Sequence, residues 1–72
     1  LSEATLTDSN LEGANLEGAD LSLGDLSQGN LTRANLKMAN LSGSNLRGTD
    51  LSGANLSGAS LLFADLGGAR LT

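Results

Sequence analysis

The 72-residue sequence contains no cysteine, proline, histidine, tryptophan or tyrosine, and only one phenylalanine and one methionine. Valine and isoleucine are also missing. Without cysteine there is no disulfide framework and no thiolate metal site, and the redox compartment stays open. Without histidine or cysteine, no serine here has a base to activate it, so no catalytic constellation is formed and no enzyme is expected. The shortage of aromatics removes the stacking platforms that single-stranded nucleic acid needs. The longest run free of polar residues and glycine, 61–64, is far too short for a membrane span or a signal segment. Neither membrane insertion nor direct nucleic-acid binding is therefore expected.

What remains is leucine, alanine, glycine and small polar residues. The formal net charge is −4, unevenly spread. Residues 1–32 carry Glu3, Asp8, Glu12, Glu17, Asp20 and Asp25 with no base. Residues 33–72 carry Arg33, Lys37, Arg47 and Arg70 against Asp50 and Asp65. The first part is acidic and the second mildly basic, with no continuous basic surface.

Leucine returns at every fifth position from Leu1 to Leu71 without a miss. Two residues before each leucine stands a small residue, as in Ala14, Ala34 and Ala54. One residue before it stands Asn or Asp, except at Thr5, Ser60 and Arg70. A helix cannot use this period. At about 100° per residue, leucines five apart step by about 140° and spiral over every face. A continuous strand cannot use it either, because five is odd and successive leucines would alternate sides. The chain must turn a corner in every repeat. Leu6, Leu11, Leu16, Leu21, Leu26, Leu31, Leu36, Leu41, Leu46, Leu51, Leu56, Leu61 and Leu66 then all point inward as the structural core, with Leu1 and Leu71 continuing the series.

The corner has its own signal. Gly13, Gly18, Gly43, Gly48, Gly53, Gly58 and Gly68 each follow a leucine by two. If the leucine opens a type II turn, that glycine is the third residue, where φ is positive. Leu23, Gln28, Arg33, Met38 and Phe63 occupy the same position without being glycine, so a different turn is expected at those corners. Short sides joined by corners, wound in one direction, make a β-solenoid whose coils stack about 4.8 Å apart. The period alone allows three or four sides per coil.

The run Ala-(Asn/Asp)-Leu-x-x, seen in Ala14-Asn15-Leu16-Glu17-Gly18 and Ala54-Asn55-Leu56-Ser57-Gly58, resembles the pentapeptide-repeat proteins over the whole chain. The resemblance implies an all-β fold: a right-handed quadrilateral β-helix of four pentapeptides per coil, about three and a half coils here. Residues i and i+20 would stack. Asn15, Asn35 and Asn55 would then form a ladder of amides, and Glu17 would lie over Lys37 as a surface ion pair. Residues 1–72 read as one solenoid domain. The sequence begins inside the repeat and shows no capping helix, so it reads as a segment of a longer protein.

Asp20, Asp25, Asp50 and Asp65 occupy the repeat's Asn/Asp position, where bonding the backbone near a corner is the expected role. Asp20 stacked on Asn40 and Asp25 on Asn45 supply too few clustered oxygens for a cation. No metal, cofactor or small-molecule substrate is expected. The one unusual outward feature is apolar: Leu23, Leu62 and Phe63 fall on one face, beside Ser22, Ser42 and Gly43, and exposed apolar clusters can mark contact surfaces.

Two function classes follow. One is a rigid scaffold that makes protein contacts or self-associates, as the resemblance to cyanobacterial and plant pentapeptide-repeat proteins implies. The cytoplasm is its expected setting, with the thylakoid lumen as alternative. The other class is a DNA-mimic inhibitor of DNA gyrase or topoisomerase, like the family's quinolone-resistance members. Those carry Phe at many central positions, whereas every central residue here is Leu, and only the acidic first third fits.

Overall fold

The computed structural model describes residues 2–72; Leu1, expected in the inward series, lies outside the described residues. Ten parallel bridges join residue i to residue i+20, from Thr5 to Asp25 through to Asp50 and Arg70. A coil is therefore twenty residues long and four pentapeptides in circumference. Each pentapeptide contributes one bridging residue between two turns, so among the described residues the sides are single bridges and not extended strands.

The repeat's residue types follow from where its five N–H groups go. In residues 36–40, Leu36 N–H donates to the Asn55 carbonyl of the next coil at 2.8 Å, and Met38 N–H to Ser57 at 2.8 Å. Asn40 N–H donates back to Ala19 at 2.8 Å, and Ala39 N–H closes the turn on Leu36 at 3.0 Å. One donor is left, Lys37 N–H, and the Asn35 Oδ1 accepts it at 3.1 Å. Every N–H is satisfied, as buried or half-buried backbone requires. The Asn or Asp before each leucine is thus an acceptor for the N–H two residues on, a small closed turn of its own.

All fourteen corners have the same backbone sign, which corrects the expectation from glycine alone. Leu23, Gln28, Arg33, Met38 and Phe63 have φ of 59, 60, 58, 61 and 61°, alongside the glycines at 68 to 72°. Glu3 and Asp8, at 61 and 59°, do likewise. The leucine carbonyl accepts the N–H three residues on at both kinds of corner, for example Gly24 to Leu21 at 3.1 Å and Ala54 to Leu51 at 3.0 Å. The coil-to-coil bonds on both flanks leave one path for the chain, and a side chain cannot change it. The non-glycine corners carry the left-handed conformation at a cost of about 1–2 kcal/mol each.

Four successive non-glycine corners, 23, 28, 33 and 38, make one coil, and each lies under a glycine corner of the next. A Cβ on Gly43 would meet Leu23 Cδ2 at 2.8 Å, and one on Gly53 would meet Arg33 Cγ at 3.3 Å. The Gln28 amide and the Met38 sulfur fill the corresponding space at Gly48 and Gly58. In this coil the long corner side chains lean onto bare corners, and a Cβ on the facing glycine would crowd them.

The core is a column of leucine layers. Leu21, Leu26, Leu31, Leu36, Leu41, Leu46 and Leu51 are buried together with Ala34 and Ala39. Leu6, Leu11, Leu16, Leu56, Leu61 and Leu66 pack against them half-buried. Leu71 departs from the inward series: it is 56% exposed, because no described coil covers it. Two buried hydroxyls replace alanine methyls in the inner wall. Ser44 Oγ donates to the Leu41 carbonyl and Thr49 Oγ1 to the Leu26 carbonyl of the coil before, each at 2.7 Å. The Cα frame measures 22 × 22 × 17 Å.

Candidate functional site

The four sides differ in charge and in what they present. Side 1 spans residues 3–8, 23–28, 43–48 and 63–68. Side 2 spans 8–13, 28–33, 48–53 and 68–72. Side 3 spans 13–18, 33–38 and 53–58, and side 4 spans 18–23, 38–43 and 58–63.

Sides 1 to 3 hold all but one of the charged residues. Arg47 pairs with Asp65 on side 1 at 3.3 Å, and Arg33, at the corner of sides 2 and 3, reaches back to Glu12. Glu17 and Lys37 stack by register on side 3 but form no ion pair, correcting that expectation. Exposed pairs of long side chains gain little from meeting, so stacking by register alone does not bring two charges together. On the same side, Asn35 Nδ2 donates to Asn15 Oδ1 at 3.4 Å, one long rung of the amide ladder.

The four bridging aspartates act on the backbone. Asp20, Asp25 and Asp50 each accept two bonds through Oδ1: from the N–H of Ser22, Ser27 and Ser52 at 3.0 to 3.1 Å, and from the same serine's hydroxyl at 2.6 to 2.7 Å. The hydroxyl bond first, then the N–H, holds these carboxyls below their ordinary range. Asp65 is lowered first by the Gly67 N–H and then by Arg47. Groups with depressed folded-state pKa bind fewer protons folded than unfolded, so they stabilise the fold above about 4 and lose that stabilisation as pH falls through the folded values. Melting temperature is expected to be level from pH 7 to about 5 and to fall below about 4. The double change D25N/D50N is expected to flatten that acid limb, as read by circular dichroism melts across pH.

Side 4 is different. Its charged residues are Asp20 and, at the foot of the Leu23 corner, Glu3; positions 38–43 and 58–63 carry none. Four of the five exposed large apolar side chains among the described residues border it: Leu23 at 61%, Met38 at 61%, Leu62 at 66% and Phe63 at 92% exposure. Leu23, Gly43 and Phe63 stack on one corner; Met38 stands on the next corner of the same side. Met38 is the addition to the cluster read from sequence. Its signal was present, since corners five apart border a common side, so position 38 adjoins position 43.

Side 4 also carries a break in the repeat's bonding. Ser60 replaces the usual Asn or Asp. Its hydroxyl bonds Ser42 Oγ at 3.0 Å, and among the described residues Leu62 N–H has no side-chain acceptor. The sides are flat: no cavity opens among the described residues, and no group of acidic residues there is arranged to hold a metal. No described helix is long and apolar enough to cross a membrane.

Comparison with known proteins supports the repeat reading along the whole chain. The family model for pentapeptide repeats matches residues 1–37 and 38–72, in eight copies. Among solved structures, the chain is similar to a pentapeptide repeat protein, Rfr23, from the cyanobacterium Cyanothece 51142, with TM-score 0.98 and 37% identity. That match covers 100% of this chain and 50% of the other, so the chain spans half the length of that relative. A pentapeptide repeat protein from the Arabidopsis thaliana thylakoid lumen is 30% identical over 99% of this chain and 56% of its own, with TM-score 0.48. HetL from Nostoc, involved in heterocyst differentiation regulation, is 32% identical over 97% of this chain and 46% of its own, with TM-score 0.36. No curated protein matches. The twenty-residue coil, the inward leucines and the family match agree, and this chain belongs to the pentapeptide-repeat family.

Proposed function

We propose that residues 1–72 form a non-catalytic, rigid interaction module, a right-handed four-sided solenoid that makes protein contacts through side 4. The observation that carries this reading is that Leu23, Met38, Leu62 and Phe63 all stand on, or at the corners of, the one side whose upper two coils lack charge. None of the four belongs to the leucine core, so burial of the leucines does not require apolar residues there. Such a patch is the usual mark of a contact surface. The family relative HetL, involved in regulation, fits a role exerted through contacts and not through chemistry.

The test is the double change L62S/F63S. Both positions are outward, so melting is expected to stay within about 0.5 kcal/mol of the parent. Association, with copies of itself or with a protein captured from its source, is expected to fall at least tenfold, followed by light scattering and pull-down. Unchanged association would remove side 4 from the contact surface, and loss of folding would place these residues on the wrong side of the wall.

A further inference from the structure

We infer that side 4 pairs with side 4 of a second copy of this chain, antiparallel, about a two-fold axis that passes through Ser42 and Asn40. The inference rests on the contact reading above and names its partner. It comes from the order of residues up the face. A two-fold in the plane of the face, perpendicular to the solenoid axis, exchanges the coil of residue 20 with the coil of residue 60. It leaves the coil of residue 40 opposite itself. Lateral position is unchanged, so corner meets like corner.

The register this produces is self-complementary, as an isologous contact must be. Phe63 of each copy comes over Leu23 of the other, and Met38 comes over Met38. Between these apolar contacts lie Gly43, with no side chain, and Ser42, so the centre permits close approach. Asn40 faces Asn40, and an amide can both donate to and accept from its own copy. Asp20 comes opposite Ser60, whose hydroxyl can donate to it, and Glu3, one coil below Leu23, lies outside the paired coils. No like charges meet. The parallel two-fold fails on this point, because it sets Asp20 beside its own copy. Sides 1 to 3 offer no such match, since each carries charges that two-fold pairing would have to bury.

Size sets the strength. One side of a frame only 22 × 22 × 17 Å across offers less area than a stable interface uses, so encounters are weak and transient. The pairing is therefore concentration-dependent, and is read best by sedimentation over a wide concentration range.

Charge at position 60 tests the register. Ser60→Arg places a guanidinium opposite Asp20 twice per dimer and is expected to tighten self-association roughly fivefold. Ser60→Asp places a carboxylate there and is expected to weaken it by a similar factor. The second variant controls for folding, because Asp at 60 restores the missing acceptor for Leu62 N–H and should not lower the melting temperature. Proximity is tested separately. The chain has no cysteine, so Ser42→Cys with a short bis-maleimide reports on the two-fold directly. It is expected to cross-link at least tenfold faster than Ser57→Cys on side 3.

Equal cross-linking at 42 and 57, or weaker association with Ser60→Arg, would overturn the antiparallel pairing. If that happened while L62S/F63S still abolished capture of another protein, the contact surface would stand and its partner would not be a second copy. If L62S/F63S changed neither, the contact reading itself would fall.

Discussion

Replacing Leu36 with asparagine is expected to destabilise the fold by roughly 2–5 kcal/mol. Leu36 has no exposed surface and sits between Leu16 and Leu56 in one inward column. The core is a single leucine wide per side, so nothing can slide in to fill the lost volume. The new amide would also find no partners. Its neighbours in the column, Leu16 and Leu56, have no donor or acceptor in their side chains. An amide buried without hydrogen bonds costs its desolvation in addition to the cavity. Leu36→Met, which nearly conserves volume, is expected to cost less than about 1.5 kcal/mol. Leu66→Asn should also be milder, because Leu66 is half-buried and water can reach the amide. Urea and thermal unfolding of the three variants would check the ordering. Unchanged melting for Leu36→Asn would mean that the leucine column is not the core.

The corners supply the second large effect, and its sign depends on which residue is replaced. Gly53 stands at φ 72° with Arg33 Cγ 3.3 Å from where its Cβ would sit. Gly53→Val is expected to cost roughly 2–3 kcal/mol, since a β-branched residue resists positive φ and Arg33 must also move aside. Arg33→Val should cost less than about 1 kcal/mol, because Arg33 already carries the left-handed penalty at φ 58° and the change adds only β-branching. Replacement by glycine reverses the sign. Gln28→Gly with Arg33→Gly removes two such penalties and is expected to stabilise by roughly 1–2 kcal/mol. The lost Glu12 ion pair is exposed and subtracts little. Ordinarily glycine is the destabilising choice, so a rise in melting temperature for this pair would be hard to explain except by the corner geometry. If instead Gly53→Val and Arg33→Val cost the same, the common φ of the two corners would not be what limits them.

These two predictions draw on different amounts of sequence information. The leucine column was legible from period alone: a five-residue repeat excludes helix and strand and forces a corner, and only the inward side of a corner can take fifteen identical apolar residues. The role of Asn and Asp was legible too, because a short polar side chain beside a turn bonds the local backbone. The number of sides came from the family resemblance, and bridges between residues twenty apart agree with it. Leu23, Leu62 and Phe63 could be placed on one face once that register was assumed.

Three things were decided only in three dimensions. Glycine predicted the sign of φ at seven of the fourteen described corners, and its absence misled at the five read as a different turn. Residue preference is a local term of about 1–2 kcal/mol, and at each corner it is outweighed by the coil-to-coil hydrogen bonds on both flanks. The ion pairs were set by reach: Arg33 at a corner meets Glu12 on the coil before, while Glu17 and Lys37, one above the other, stay apart. Met38 could be placed beside side 4 by register, but its exposure was decided only by the closed coil. A repeat of five determines where the leucines go, since that choice is the same in every layer and its energy adds up. What the outer wall presents depends on which unlike residues the stacking brings side by side, and that is a property of the closed coil.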